Sequence, residues 1–203
     1  MEKMLCVFGV LKTKTGLLVK ERITNYLKDR FNILYIEQES PGKMFEYPAI
    51  KYALQMAIEM NEPVLYIHTK GAVDPNHSWY QKSAKQLWEH EFGTDKVYEI
   101  YNLLNINKPL IACPIIGSHN ETWFNGKMIN SAAAKIILET FHFDNNRYYY
   151  EWDMQKDPRI KTIGTFYSTP IDPPPLGSKN RKQLEEFNNK VKTLTKKLPE
   201  INY

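Results

Sequence analysis

Two cysteines in 203 residues, Cys6 and Cys113, are too few for a disulfide scaffold. Both sit inside apolar runs, where buried thiols on strands are expected. No apolar stretch reaches the length that crosses a bilayer, and the longest, Pro109 to Gly117, is the size of a strand. The opening Met1-Glu2-Lys3-Met4 runs straight into a strand pattern, so no secretory signal and a cytoplasmic setting are expected. Charge of one sign is also scarce. Twenty-seven basic residues against 23 acidic ones leave +4, too little for a dedicated nucleic-acid binder but suited to a partner that carries phosphate. The chain has no Walker phosphate loop, no Gly-x-Gly-x-x-Gly, no Cys-x-x-Cys, no Gly-x-Ser-x-Gly elbow and no His-Glu-x-x-His. Their absence argues against structural zinc and a protease-like metal centre, while other nucleotide-binding geometries stay open.

What is present is an ordinary globule, 42% hydrophobic and 25% charged. A chain of this length buries roughly 70% of its unfolded surface. Apolar runs at Met4–Val10, Phe31–Ile36, Pro63–Thr69, Pro109–Ile116 and Lys161–Tyr167 predict strands. Helical patterns lie between them at Leu17–Arg30, Pro48–Met60, Trp79–Glu91, Asp95–Leu104 and Ser131–Thr140, with a helical turn at Tyr148–Met154. In the first helix Leu18, Ile23, Tyr26 and Leu27 are expected to share the apolar face. Pro114 places its strand at an edge or at a bulge. This alternation predicts a single, mainly parallel twisted α/β sheet with helices on both faces. The domain is expected over 1–170, followed over 171–203 by a connection containing Pro173-Pro174-Pro175 and a basic helix. That helix leaves room for peripheral association with a membrane.

Parallel sheets bind ligands beyond the carboxyl ends of their strands, which directs attention to residues 9–16, 37–46, 68–79 and 117–125. The sharpest local feature is His68-Thr69-Lys70-Gly71. Lys70 can neutralise a diphosphate, Thr69 can donate a hydroxyl hydrogen bond, and Gly71 permits close backbone approach. His68 can bind phosphate, act as an acid or hold a loop, and strand-end polar residues of this kind also cap backbone groups. Trp79 can stack on a base or sugar, although a tryptophan opening a helix more often packs on the core. Asp74 is a candidate base in ordinary turn chemistry. Of Glu37, Glu39 and Glu46, the last stands just before a helix and can reach either its terminus or the cleft. Asn125, between Trp123-Phe124 and Gly126, offers a donor and an acceptor to sugar hydroxyls, while Asn130 is expected to cap the next helix. Arg147 can pair with phosphate, and Glu151 or Asp153 can act as a base.

On the strand 64–71, ending in His-Thr-Lys-Gly and followed by Trp79, the chain resembles a little-characterised family of bacterial and viral glycosyltransferase-like proteins. These are associated with polysaccharide or lipopolysaccharide synthesis. The resemblance extends through Trp123-Phe124-Asn125-Gly126, Arg147 and Glu151-Trp152, covering roughly residues 4–152. It implies a glycosyltransferase A-like fold and transfer of a sugar from a nucleotide sugar to a carbohydrate or lipid-linked acceptor. His68, Thr69, Lys70, Gly71, Trp79, Asn125 and Arg147 would hold the donor, and Glu151 or Asp74 would take the acceptor proton. Tyr80 stands where the family often has arginine, and the Asp-x-Asp metal motif is absent. No cofactor is therefore expected with assurance, though the resemblance keeps Mg²⁺ or Mn²⁺ in view. Positioned lysine, arginine and imidazolium groups can themselves stabilise a departing diphosphate. A non-catalytic carbohydrate- or nucleotide-binding accessory protein is the alternative.

Overall fold

β1 (Met4–Leu11) carries apolar residues on both faces and is buried on both. Met4, Cys6, Phe8 and Val10 point to one layer and Val7 to the other. The computed structural model describes residues 2–39, 46–69, 79–116, 122–123, 126–144, 149–150 and 154–167. It also describes 185–186, 189–190, 192–194 and 196; for 79–85 and 122–123 only the backbone is described. β2 (Phe31–Gln38) and β3 (Val64–His68) pair parallel to β1 on its two edges. β4 (Leu110–Ile116) and β7 (Lys161–Tyr167) pair parallel with each other. Between β3 and β4 lies β6 (Lys127–Ile129), antiparallel to both. β5 (Thr122–Trp123) pairs antiparallel with β4 at Ile115 and Ile116. The order β2-β1-β3-β6-β4, with β7 also on β4, makes one mixed, mostly parallel α/β sheet. Periodicity predicts no strand over the short reversed β6. Three residues are too few to display an alternation.

Helices cover both faces. α1 (Lys14–Leu27), α3 (Trp79–Phe92) and α4 (Lys96–Leu104) pack on one, and α2 (Tyr47–Glu59) and α5 (Ser131–Thr140) on the other. α1 starts earlier than its apolar pattern predicts, because the Thr13 hydroxyl accepts from Gly16 N at 3.0 Å and caps it. The buried stripe is consequently Gly16, Val19, Ile23 and Leu27, at steps of three and four. Leu18, expected on that face, is 61% exposed because it lies five positions before Ile23. Pro48 opens α2, and Asn61, with φ 52°, follows its last turn in the left-handed region. Ile50 and Leu54 beneath that helix are fully buried, and truncating either to alanine costs about 2–5 kcal/mol.

Pro114 is not at an edge, since β4 has neighbours on both sides. It lies where the β4–β7 register shifts between Cys113 and Ile115, so a bulge accommodates its missing N–H. Asn130 caps α5 as expected, accepting from Ala133 N at 2.9 Å. Of the helical turn expected over Tyr148–Met154, Tyr149 has 3₁₀ form and Met154 N donates to Tyr149 O at 3.0 Å, while 151–153 lie outside the described residues. The segment 171–184 lies outside the described residues. No helix among the described residues is long and apolar enough to cross a membrane.

Candidate functional site

The carboxyl ends of β1 and β3 meet the start of α2. Gly9 lies opposite His68 in the β1–β3 register. A Cβ at Gly9 would stand 3.1 Å from the Ala49 Cβ and 3.4 Å from the His68 Cβ, so glycine lets helix and strand close on each other. Thr69 N donates to Gly9 O at 2.9 Å, and the Thr69 hydroxyl oxygen accepts from Leu11 N at 3.0 Å. The buried Thr69 side chain thus ties β3 to β1, and its own proton is what remains to donate.

Glu46 precedes α2 but makes no side-chain cap bond to it. Its carboxylate turns to the strand instead. Tyr66 Oη donates to Oε2 at 3.0 Å, and His68 Nε2 lies 3.2 Å from Oε1, an ion pair when the imidazole is protonated. Tyr66 and His68 project from the same face of β3, two residues apart, and their rings stack at 6.2 Å and 7°. Tyr66 is fully buried, whereas the His68 and Glu46 side chains are each 16% exposed and reach the strand mouth. An acid, an imidazole and a phenol therefore form one linked unit where β3 ends.

Across the sheet from Tyr66 stands Lys127, the first residue of β6. Its ammonium is fully buried and donates to Tyr150 O at 2.8 Å and Gln155 Oε1 at 3.3 Å. Beside it on β4, burial pushes the Cys113 thiol up to about 12, while the Lys127 charge pulls the other way. Gly126, just before β6, lies against the Trp88 indole, and a Cβ there would meet Trp88 Nε1 at 2.0 Å. Next along this end of the sheet, the buried Glu91 accepts from Lys96 at 2.5 Å and lies 2.8 Å from His90 Nδ1. On the far side, Lys20 pairs with Glu37 and holds that carboxyl below its ordinary range, while Glu39 raises Lys12. These pairs are solvated, and each is worth little to stability.

Compared with known proteins, the chain matches no family model, no curated protein and no solved structure.

Of the candidate residues read from the sequence, the fold brings His68, Thr69 and Glu46 together at the strand mouth. Lys70, Gly71, Asp74, Asn125, Arg147 and Glu151 lie outside the described residues. Trp79 opens α3, and only its backbone is described. Among the described residues no group of three or more His, Cys, Asp and Glu side chains comes together to hold a metal ion. The described donor set at the mouth, one carboxylate and one imidazole, does not make a metal site, and no step is routed through one. Three polar residues here were not singled out from sequence. Glu91 falls at the i+3 and i+4 positions from Trp88 and Leu87, inside an apolar stripe, and that misplaced charge was a readable signal. Tyr66 and Lys127 carried none, because their partnership is made across strands.

Proposed function

We propose that the chain binds a nucleotide sugar at the mouth of β3 and transfers its sugar to a polysaccharide or cell-envelope acceptor. The observation that carries this reading is the linked unit Tyr66–Glu46–His68 at the carboxyl edge of a mostly parallel sheet, immediately before Thr69-Lys70-Gly71. That edge is where such sheets hold ligands, and the His-Thr-Lys-Gly strand end is the segment on which the glycosyltransferase A-like resemblance rests. The same reading sets the protein in the cytoplasm, at the inner face of a membrane when the acceptor is lipid-linked.

In this reaction the acceptor hydroxyl oxygen bonds to the anomeric carbon of the sugar. The bond from that carbon to the diphosphate breaks, and the nucleoside diphosphate leaves with the electron pair. The hydroxyl proton goes to a carboxylate, Glu151 or Asp74. Lys70, His68 and Arg147 offset the charge that grows on the departing diphosphate. Glu46, held by Tyr66, fixes the direction of the His68 ring. Trp79 and Asn125 contribute stacking and hydroxyl contacts to the donor.

The test is a panel of nucleotide sugars offered to the purified chain, with and without Mg²⁺ or Mn²⁺, following binding by calorimetry and turnover by release of nucleoside diphosphate. Saturable binding of one donor, weakened about tenfold or more by Lys70→Ala or His68→Ala, is expected. Binding without turnover on any acceptor would favour the accessory-protein alternative. Neither binding nor hydrolysis across the panel would overturn the transferase reading.

A further inference from the structure

β2 stands at one end of the sheet, and among the described residues no strand pairs with its outer edge. The two bonds that bracket it show which backbone groups face that edge. Arg30 O accepts from Met4 N at 3.0 Å and Gln38 O accepts from Lys12 N at 2.7 Å, with an unbroken register between them. In a parallel pair, successive residues turn their N–H and C=O to alternate sides. The even-numbered residues therefore bond to β1, and Phe31, Ile33, Tyr35 and Glu37 present four N–H and four C=O groups outward. Proteins that stay single usually blunt such an edge with proline, lysine, a bulge or a covering element. β2 contains no proline, lysine or bulge, and the side chains of its centre, Ile33-Leu34-Tyr35-Ile36, are only partly buried.

Both faces beside this edge carry apolar surface that the chain leaves open. On one, α1 turns Lys20 and Thr24 to β2: Lys20 pairs with Glu37 and lies over the Tyr35 ring at 4.1 Å, and the Thr24 and Tyr35 hydroxyls are 2.8 Å apart. Leu17, three and seven positions before those two, lies on the same flank of the helix and is 47% exposed. On the other face, Leu34 points the same way as Ile36, which packs on the cluster under α2, yet Leu34 itself belongs to neither buried cluster. A second copy of β2 matches this edge. Run antiparallel about a two-fold axis at Leu34, it sets Phe31 opposite Glu37 and Ile33 opposite Tyr35 in both directions, so that every outward group is bonded. Leu34 then meets its own counterpart in a non-hydrogen-bonded pair, with the Cα atoms about 4.5 Å apart and the side chains at their closest. An axis at any other residue runs one end of the strand past the other. The ends are compatible in charge: Lys28 and Arg30 flank the amino end and Glu37 and Glu39 the carboxyl end. Asp29 and Asp95 at the first end, and Lys20 and Lys12 at the second, leave the approach without net repulsion.

We infer that β2 is an interface for a second copy of this chain, joined edge to edge by antiparallel pairing about a two-fold axis at Leu34, so that one sheet runs through both copies. The axis stands perpendicular to the sheet, and the two α1 helices come side by side on one face with their Leu17 flanks toward each other. A single edge strand buries less area than an obligate interface, so the association is reversible. The inference does not rest on sugar transfer.

Sedimentation equilibrium of the full chain over a concentration series is expected to show monomer and dimer in exchange. Leu34→Glu sets two carboxylates against each other on the axis and weakens the dimer about tenfold or more, and Leu34→Lys does the same with two ammonium groups. An equimolar mixture of the two variants associates again, because unlike charges then face each other. Circular dichroism matching the wild type shows that each variant is folded, as expected for a side chain outside both buried clusters. The register is read by disulfide formation with oxidised glutathione, which takes up the two electrons released. Leu34→Cys brings two thiols within bridging distance and links the dimer, whereas Asn32→Cys holds them about 14 Å apart and does not. Cys6 and Cys113 are buried and stay unlinked. A monomer at every concentration, a dimer that neither charge weakens, or linking as rapid at residue 32 as at residue 34 would each overturn the inference.

Discussion

The Tyr66 hydroxyl donates to Glu46 Oε2 at 3.0 Å, so a carboxylate that heads a helix is turned away from the helix and toward a strand. The cost of that choice is an uncapped first turn on α2, which Pro48 lessens by supplying no N–H of its own. The gain is an oriented acid 3.2 Å from His68 at the mouth of the sheet. Tyr66→Phe therefore destabilises the fold by about 1–2 kcal/mol in urea denaturation, as expected for one bond to a charged, partly exposed group. On the function proposed above, it also loosens His68 and weakens binding of the nucleotide sugar while leaving His68 and Glu46 themselves unchanged. A variant as stable as the wild type would show that this hydrogen bond makes no net contribution and that the Glu46 carboxylate is satisfied without it.

Lys127 ties the Tyr150 carbonyl to the Gln155 side chain. Lys127→Met keeps the length of the side chain but leaves a carbonyl and an amide oxygen without their donor. A loss of about 2–4 kcal/mol is expected by chemical denaturation.

Gly126 has no room for a side chain against Trp88. Gly126→Ala pushes the indole out of place and costs about 1–3 kcal/mol. The accompanying change in tryptophan emission of the native state reports the displacement directly, and an unchanged spectrum would contradict it.

Cys6 and Cys113 are both fully buried, and burial pushes both thiols up, Cys113 to about 12. The reactive species is the thiolate. At pH 8 the native chain should be labelled by a thiol reagent about a thousandfold more slowly than a free cysteine, and both sites should react once urea unfolds it.

Arg159 donates to Asp157 from its side chain and its backbone, holding that carboxyl at about 2 against an ordinary 3.8. A lowered acid stabilises the folded state above its unfolded value and ceases to do so as pH falls through the folded one. The contribution of this pair is thus complete above about pH 4 and disappears toward pH 2. Asp157→Asn should lower stability modestly at neutral pH, leave it nearly unchanged near pH 2, and so flatten the acid side of the stability curve between them.

Continuous apolar runs made the parallel strands readable, because a strand buried on both faces is apolar along nearly its whole length, as Met4–Leu11 and Val64–Ile67 are. The Asn130 cap was readable for a similarly local reason, the side chain reaching an amide three residues away. The phase of α1 was misjudged at Leu18, since the cap that starts the helix at Lys14 carries no hydrophobic signal. Likewise Pro114 announced a disturbance in its strand, while its position inside the sheet depended on neighbours far along the chain.

The chain by itself determined the alternation of strands and helices and the chemical character of the strand end at His68. Those follow from burial and from covalent neighbours. Tertiary structure alone decided that β6 runs backwards between β3 and β4, that Lys127 stands opposite Tyr66, and that Glu46 serves His68 and not its helix. Each of these is a contact between residues 16 or more positions apart, set by the pairing of strands and the docking of α2. No window of local sequence contains both partners.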